Sequence, residues 1–177
     1  MTLNKEKLDK LKKRYPIQTW KNNSILRKKS KKVKSLSDDI MTFAKDILVL
    51  MDEYDWAWLA APQIWEHLRI VAVWQYDKND LFLKSKFVMI NPEVVFRSKT
   101  QQVKSEWCLS LPGIEWDVKR PLKIKVNYID LNKNKQSIAA KWLNASVILH
   151  EIDHLNWVLF VDKMKDKKVE MDFSKYI

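Results

Sequence analysis

The sequence predicts an α+β fold in which short antiparallel or mixed β-sheets pack around a central helix. Apolar residues recur at helical spacing in some segments and alternate with polar residues at a period of two in others. No internal repeat, low-complexity tract or linker divides the 177 residues. Helices and strands of this kind are typical of one α+β domain, which we expect to span residues 1–177.

Three helices are predicted, and the last of them is the central one. Residues 3–13 indicate a short basic helix that ends before Pro16, because proline disfavours helix in the preceding residue. The second begins after Ser37, a good N-cap followed by two aspartates, and its apolar residues continue at helical spacing to Met51. The third helix covers residues 143–155.

The predicted strands are short and rich in branched or aromatic residues. Alternation of apolar and polar residues is cleanest in the third strand, which a turn at 132–135 connects to the fourth. These predicted strands cover residues 68–75, 87–95, 122–128 and 136–140.

The formal net charge is +11, and lysines cluster at 28–34 and 163–168. Such a charge favours polyanions such as ribosomal RNA, although a solvated surface in a lysine-rich proteome explains it equally well. No nucleic-acid motif accompanies the lysines, so DNA is not an expected partner. The charged N-terminus lacks the apolar core of a secretory signal, and no apolar run approaches the roughly 20 residues of a membrane span. We therefore expect a cytoplasmic protein without a membrane partner.

The segment from His150 to His154 has the form H-E-x-x-H. On a helix its two histidines lie on one face and can bind one metal ion, while Glu151 reaches a water molecule at that ion. Histidines that make ordinary hydrogen bonds are the alternative. Catalytic metal sites usually have three protein ligands, and Cys108 is the best candidate for the third, unless it is a buried core thiol.

Three segments resemble the motifs of the peptide deformylases, in the order of that family. Residues 106–110 read E-W-C-L-S, where the family has E-G-C-L-S. Residues 56–63 resemble the motif G-x-G-L-A-x-x-Q, with tryptophan at each glycine, and residues 150–154 match H-E-x-D-H without departure. The similarity extends from about residue 25 to residue 162.

This resemblance implies an enzyme that removes the formyl group from the N-terminal methionine of nascent polypeptides. It implies one divalent metal ion, Fe(II) first and zinc, nickel or cobalt otherwise, bound by Cys108, His150 and His154. Glu151 would be the general acid and base. The amide of Gln63 and the backbone N–H of Leu109 would stabilise the oxyanion.

The resemblance also implies supporting residues around the metal. Asp153 matches a carboxylate that we expect to pair with a nearby arginine or lysine, although a solvated charge on the helix face is the alternative. A second group is expected to line the pocket for the methionine side chain, although apolar residues at helical spacing are more often core. This group is Ala57, Trp58, Trp107, Leu143, Ser146 and Val147.

The chain has nine tryptophans and one glycine, Gly113. Ordinary usage would give roughly a dozen glycines. Four tryptophans stand at glycine positions of the family motifs and four more are expected to do so, which leaves only Trp74 without a glycine counterpart. The eight are Trp20, Trp56, Trp58, Trp65, Trp107, Trp116, Trp142 and Trp157. We hypothesise that these positions are UGA codons that the source cell reads as glycine.

Two other functions stay open on the sequence alone. If the tryptophans are real, the chain could be an inactive or altered relative that acts as a basic, ribosome-associated binding module. H-E-x-x-H is also found in zinc endopeptidases. The residues around Cys108 and the presence of Gln63 argue against an endopeptidase.

Overall fold

The computed structural model describes residues 5–77 and 83–163, except for the side chain of Leu83. Three α-helices, seven β-strands and two 3₁₀ helices are found within these residues. The α-helices are α1 (Lys5–Arg14), α2 (Asp38–Glu53) and α3 (Trp142–Leu155). The strands are β1 (Trp58–Ala60), β2 (Ile70–Tyr76), β3 (Leu83–Arg97), β4 (Gln101–Cys108), β5 (Leu111–Pro121), β6 (Lys123–Ile129) and β7 (Lys135–Lys141). The 3₁₀ helices are Ala61–Ile64 and Phe160–Lys163.

Five strands form an antiparallel sheet in the order β1-β2-β3-β6-β7. Strand β2 is buried on both faces because helices cover both sides of the sheet. Ile70 and Ala72 belong to the core on the α2 side, whereas Val71 and Val73 belong to the core on the α3 side. This alternation explains why the start of β2 is a continuous apolar run.

Strands β4 and β5 form a separate antiparallel hairpin. Its register shifts between Trp107 and Cys108, at the end of β4. Cys108 belongs to a third core cluster with Leu111, Val118 and Phe160, and α3 contacts both strands of the hairpin. The hairpin therefore places Cys108 next to the helix that contains both site histidines.

The predicted α+β class is confirmed, and the described strands pair only in the antiparallel sense. Helix α2 begins at the predicted N-cap, where the Ser37 hydroxyl accepts a hydrogen bond from the backbone N–H of Ile40. The four predicted strands correspond to β2, β3, β6 and β7, and β3 is longer than expected. Three strands, β1, β4 and β5, were not predicted. No helix in the described ranges combines the length and apolarity needed to cross a bilayer.

Candidate metal centre

The structure brings Cys108, His150 and His154 together, as the sequence predicted. Cys108 is the last residue of β4, and the two histidines lie one turn apart on α3. One ligand atom from each residue lies within 4.8 Å of the others, and all three side chains are buried. The sulfur of Cys108 lies 3.2 Å from Nε2 of His154. Sulfur and two imidazole nitrogens in this proximity are typical of a transition-metal site.

Hydrogen bonds determine which nitrogen of His150 faces the centre. Its Nδ1 lies 2.9 Å from Oε2 of Glu106, whose carboxylate can only accept, so Nδ1 carries the proton. Its Nε2 is buried and has no hydrogen-bond partner among the described residues. A buried nitrogen without a partner is unfavourable in an ordinary core but suits a metal ligand. The donor atoms therefore fit a bound cation.

Glu151 is fully buried beside these ligands. Neither of its carboxylate oxygens has a hydrogen-bond partner in the described part of the chain, and Oε1 lies 3.9 Å from Nε2 of His150. Burial, followed by the negative charge of Glu106, raises the pKa of Glu151 well above its usual range. A carboxyl group of this kind can hold a proton or release it to a neighbour.

Burial also controls the protonation of Cys108 and His154. It raises the pKa of the Cys108 thiol, and the nearby charge of Glu151 raises it further. A coordinated cation has the opposite effect and makes the thiolate the stable form. Burial, followed by the electrostatic effect of the neighbouring His150, lowers the pKa of His154 well below its usual range, which keeps that imidazole neutral. Neutral imidazole is the form that binds metals.

A buried ion-pair network supports the ligands. The Arg120 guanidinium donates two hydrogen bonds to Glu106, one from Nε and one of 2.8 Å from Nη2. Its Nη1 donates to Oδ2 of Asp153 at 2.7 Å, and Nζ of Lys163 lies 3.1 Å from the same oxygen. Burial raises the pKa of Glu106, but the hydrogen bonds from Arg120 and His150 outweigh it and lower that pKa to about 2. Glu106 is therefore ionised and fixes the tautomer of His150.

Comparison with known proteins agrees with this geometry. Residues 15–170 match the family described as polypeptide deformylase. The chain belongs to the peptide deformylase family, whose members are hydrolases. It is 40% identical to the peptide deformylase of Thermoanaerobacter pseudethanolicus over 141 residues, which are 80% of this chain and 84% of that protein. It is 35% identical to the enzyme of Brucella suis over 152 residues, 86% of each chain.

Solved deformylase structures have the same fold. The deformylase of Synechococcus elongatus, solved with actinonin, aligns with a TM-score of 0.76 at 33% identity, over 86% of this chain and 80% of that one. The class I type b deformylase of Acinetobacter baumannii, solved with Met-Ala-Ser bound, aligns with a TM-score of 0.78 at 27% identity, over 85% of this chain and 98% of that one. The fold expected from the resemblance is therefore confirmed, and membership of a metal-dependent family agrees with the Cys-His-His cluster.

A cavity of about 180 Å³ opens beside His150 in this deformylase. Five of the six residues expected in the substrate pocket line it: Trp58, Trp107, Leu143, Ser146 and Val147. Ala57, the sixth, is not among the lining residues. Tyr76, Lys104 and Ser105 also line the cavity and were not predicted. Most of its lining surface is apolar, although polar residues contribute to the wall, and such a surface suits an apolar side chain of a substrate.

The two predicted oxyanion donors both lie next to Cys108. Nε2 of Gln63 is 3.4 Å from the sulfur of Cys108 and 3.2 Å from the Ser110 hydroxyl oxygen. Oε1 of Gln63 accepts a hydrogen bond of 2.8 Å from the backbone N–H of Ala60, which directs the amide nitrogen toward the centre. Leu109 follows Cys108 and lines a neighbouring groove.

Sequence reasoning missed two residues of this centre. Glu106 opens the E-W-C-L-S segment, so its position in a motif was a usable signal. Arg120 lies in β5, which was not predicted, and no motif marks it. The sequence predicted only that Asp153 pairs with an arginine or lysine, and Arg120 and Lys163 are those partners in the structure.

Proposed function

We propose that this deformylase hydrolyses the formyl group from the N-terminal methionine of nascent polypeptides. The observation on which the proposal rests is the buried cluster of Cys108, His150 and His154, with the unpartnered carboxyl group of Glu151 beside it. The bound peptide in the Acinetobacter baumannii structure supports the substrate class. Met-Ala-Ser begins with methionine, as the product of this reaction does. Nascent chains are made in the cytoplasm, so the proposal locates the enzyme there.

The proposed roles follow from the positions of the side chains. A divalent cation, when bound, supplies Lewis-acid activation of water and of a carbonyl group. Glu151 accepts a proton from water and returns it to the amine that leaves. The Gln63 amide and the Leu109 backbone N–H donate hydrogen bonds to the oxygen on which negative charge develops. Glu106 orients His150, and Asp153 holds the guanidinium of Arg120.

We further propose that the cation in the cell is Fe(II), with zinc, nickel or cobalt able to replace it. One thiolate and two imidazoles can bind any of these ions, so affinity alone does not select among them. Metal analysis of protein purified without oxygen from its source tests this proposal. Iron in a ratio near one per chain supports it, and zinc in that ratio argues against it.

The test of function uses the chain with glycine in place of tryptophan at positions 20, 56, 58, 65, 107, 116, 142 and 157, called here the glycine form. The metal-loaded glycine form should release formate from formyl-Met-Ala-Ser. It should not cleave the peptide bonds of acetyl-Met-Ala-Ser-amide, which a zinc endopeptidase could cleave. A folded, metal-loaded glycine form that releases no formate would refute the proposal and favour the non-catalytic binding module.

We also propose contact with ribosomal RNA through one basic groove. Lys29, Lys32, Arg69 and Arg97 line this groove, whose volume is about 460 Å³, and Glu93 is its acidic member. Lys29, Lys32 and Arg97 are exposed and form no ion pair within the described residues. The second lysine cluster lies outside the described residues except for Lys163. Reversing two charges, with Lys29→Glu and Lys32→Glu, should weaken co-sedimentation with ribosomes and flatten its salt dependence. Unchanged co-sedimentation would exclude this groove.

A further inference from the structure

Four of the tryptophans have a backbone conformation that is rare for bulky residues. Seven described residues other than glycine have positive φ, and four of them are tryptophan: Trp20 (77°), Trp65 (77°), Trp142 (54°) and Trp157 (60°). A positive φ brings Cβ too close to the neighbouring carbonyl oxygen, and a bulky side chain there is a genuine outlier. Gly113, the single glycine of the chain, has φ 76°. These four tryptophans therefore adopt the backbone conformation that glycine adopts without strain.

Two of these tryptophans stand where glycine commonly ends a helix. Trp65 follows the 3₁₀ helix Ala61–Ile64 in the left-handed conformation, and its backbone N–H donates to the carbonyl of Pro62 at 3.4 Å. Trp157 follows Asn156, the C-cap of α3, and its N–H donates to the carbonyl of His154 at 3.2 Å. The residue just beyond a helix end is the position that favours glycine most strongly.

Three of the four tryptophans with positive φ have largely exposed side chains that contribute little packing. Trp65, Trp142 and Trp157 are 57%, 50% and 51% exposed. Tryptophan normally buries most of its large apolar surface, and a lone exposed indole is unusual for it. Neither the backbone nor the packing at these positions provides a reason for the largest side chain.

The tryptophans near the metal centre fit their surroundings poorly for a different reason, which is the lack of hydrogen-bond partners for buried indoles. The indole nitrogens of Trp56 and Trp58 are buried without a hydrogen-bond partner among the described residues, and the two rings pack edge to face at 5.9 Å. Buried indole N–H groups are usually paired, and an unpaired one destabilises the fold. Trp107 lies at the register shift of the β4–β5 hairpin, where glycine is common. Trp58 and Trp107 also occupy the cavity wall beside His150.

Trp74 provides the contrast within the same chain. It lies in β2, and its ring packs against the core on the α2 side of the sheet. Its indole nitrogen donates a hydrogen bond of 3.3 Å to Oδ1 of Asp52. Nζ of Lys86 lies 5.5 Å from the centre of the ring, within the range of a cation–π contact. Trp74 therefore has the hydrogen bond and packing that a tryptophan requires, and it is the one tryptophan for which the resemblance to the family predicted no glycine counterpart.

We infer that the working protein has glycine at eight of the nine tryptophan positions and a true tryptophan only at Trp74. Backbone conformation supports this at positions 20, 65, 142 and 157. Unpaired indoles and the hairpin irregularity support it at 56, 58 and 107. Trp116 is half-buried in β5 and its assignment rests on the likeness to the family alone. UGA is a codon that one genetic code translates as tryptophan and that the source cell would decode as glycine. Trp74 would then have the ordinary tryptophan codon UGG.

Peptide mass spectrometry of the protein from its source cell tests the inference directly. The expected result is glycine at the eight positions and tryptophan at position 74. Tryptophan at positions 65 and 157, where the backbone favours glycine most clearly, would overturn it. Glycine at all nine positions would also contradict it, because the inference requires a true tryptophan at position 74 to make the contacts described above.

Thermal unfolding of recombinant variants gives a second test that does not depend on activity. In the chain as printed, Trp65→Gly and Trp157→Gly should each raise the midpoint by about 2–4 °C or more, whereas the control Trp74→Gly should lower it. If the printed chain does not fold, the same comparison is made in the glycine form, with tryptophan kept at 65 or at 157. Each retained tryptophan should then lower the midpoint. A rise would overturn the inference for that position.

Discussion

The metal centre and two tryptophans beside it, Trp56 and Trp58, differ in how well their side chains fit their surroundings. At the centre, Glu106, Arg120 and Asp153 are joined by hydrogen bonds. Nε2 of His150 and the carboxylate of Glu151 have no hydrogen-bond partner among the described residues, and they lie where a bound cation and its water would use them. At Trp56 and Trp58, the buried indole nitrogens have no hydrogen-bond partner in the described ranges, and neither residue is one of the candidate metal ligands.

This difference between the centre and the tryptophans follows the family motifs. The H-E-x-D-H segment is intact because its pattern requires no glycine, whereas each motif that requires glycine has tryptophan instead. A protein that had lost its function would be expected to lose metal ligands as readily as glycines. All three candidate metal ligands are present and clustered, so the unpaired indoles of Trp56 and Trp58 are better explained by glycine at the eight positions than by loss of activity.

Replacing Glu151 by glutamine should have the largest effect on the reaction. In the glycine form, Glu151→Gln preserves the shape of the buried side chain but removes its ability to transfer a proton, so kcat should fall by roughly 10²–10⁴-fold. Metal content should stay the same because Glu151 is not one of the three clustered ligands. Formate release and metal analysis on the same sample measure both. A rate equal to that of the parent chain would contradict the assigned role.

Removing the Arg120 side-chain charge should disturb the centre through its supporting residues. Arg120→Met leaves the buried carboxylate of Glu106 without a cationic partner, with only the hydrogen bond to His150, and leaves Asp153 with Lys163 alone, which should cost about 3–5 kcal/mol of unfolding free energy. Metal affinity should fall by about 10–100-fold, since His150 loses a fixed partner. Lys10→Met, which breaks an exposed pair with Glu6, is the control and should change stability by less than about 1 kcal/mol. Equal effects in denaturant titrations of the two variants would refute the supporting role of Arg120.

Local patterns were enough to predict much of the fold and the centre. The helical spacing after Ser37 located α2, and H-E-x-x-H placed His150 and His154 on one helix face. The likeness to a family supplied Cys108, which no spacing rule connects to a helix about forty residues away. These predictions succeeded because each depends on neighbours in sequence or on a motif that is preserved whole.

The parts that sequence could not predict depend on contacts between distant segments. Strands β4 and β5 expose many polar residues, so their apolar alternation is weak and only the pairing of two segments defines them. Arg120 gains its role from lying between Glu106 and Asp153, which are 14 and 33 residues away in sequence. The positive φ of Trp65 and Trp157 is likewise visible only in the folded backbone.

Metal removal should affect stability as well as activity. Ligands that bind only the folded state stabilise it, by about 2.7 kcal/mol at a free concentration of 100 times Kd. Chelation should therefore lower the unfolding midpoint of the glycine form by several degrees, and adding Fe(II) or zinc should restore it. Cys108→Ala should abolish this response because a buried ligand is lost. A metal-dependent midpoint that persists in Cys108→Ala would place the cation elsewhere.

The role of the cavity beside His150 can be tested by keeping a single tryptophan. A chain with glycine at the other seven positions but Trp58 retained has a large side chain in the wall of the cavity beside His150. That side chain occupies volume that a methionine side chain would fill, so KM for formyl-Met-Ala-Ser should rise by about tenfold while kcat changes less. Keeping Trp65 instead is the matched control, because Trp65 is exposed and is not among the residues that line the cavity. It should lower the unfolding midpoint and leave KM unchanged. If Trp58 and Trp65 raise KM equally, the effect of Trp58 is a general loss of stability, and the cavity beside His150 is not the binding site for the methionine side chain.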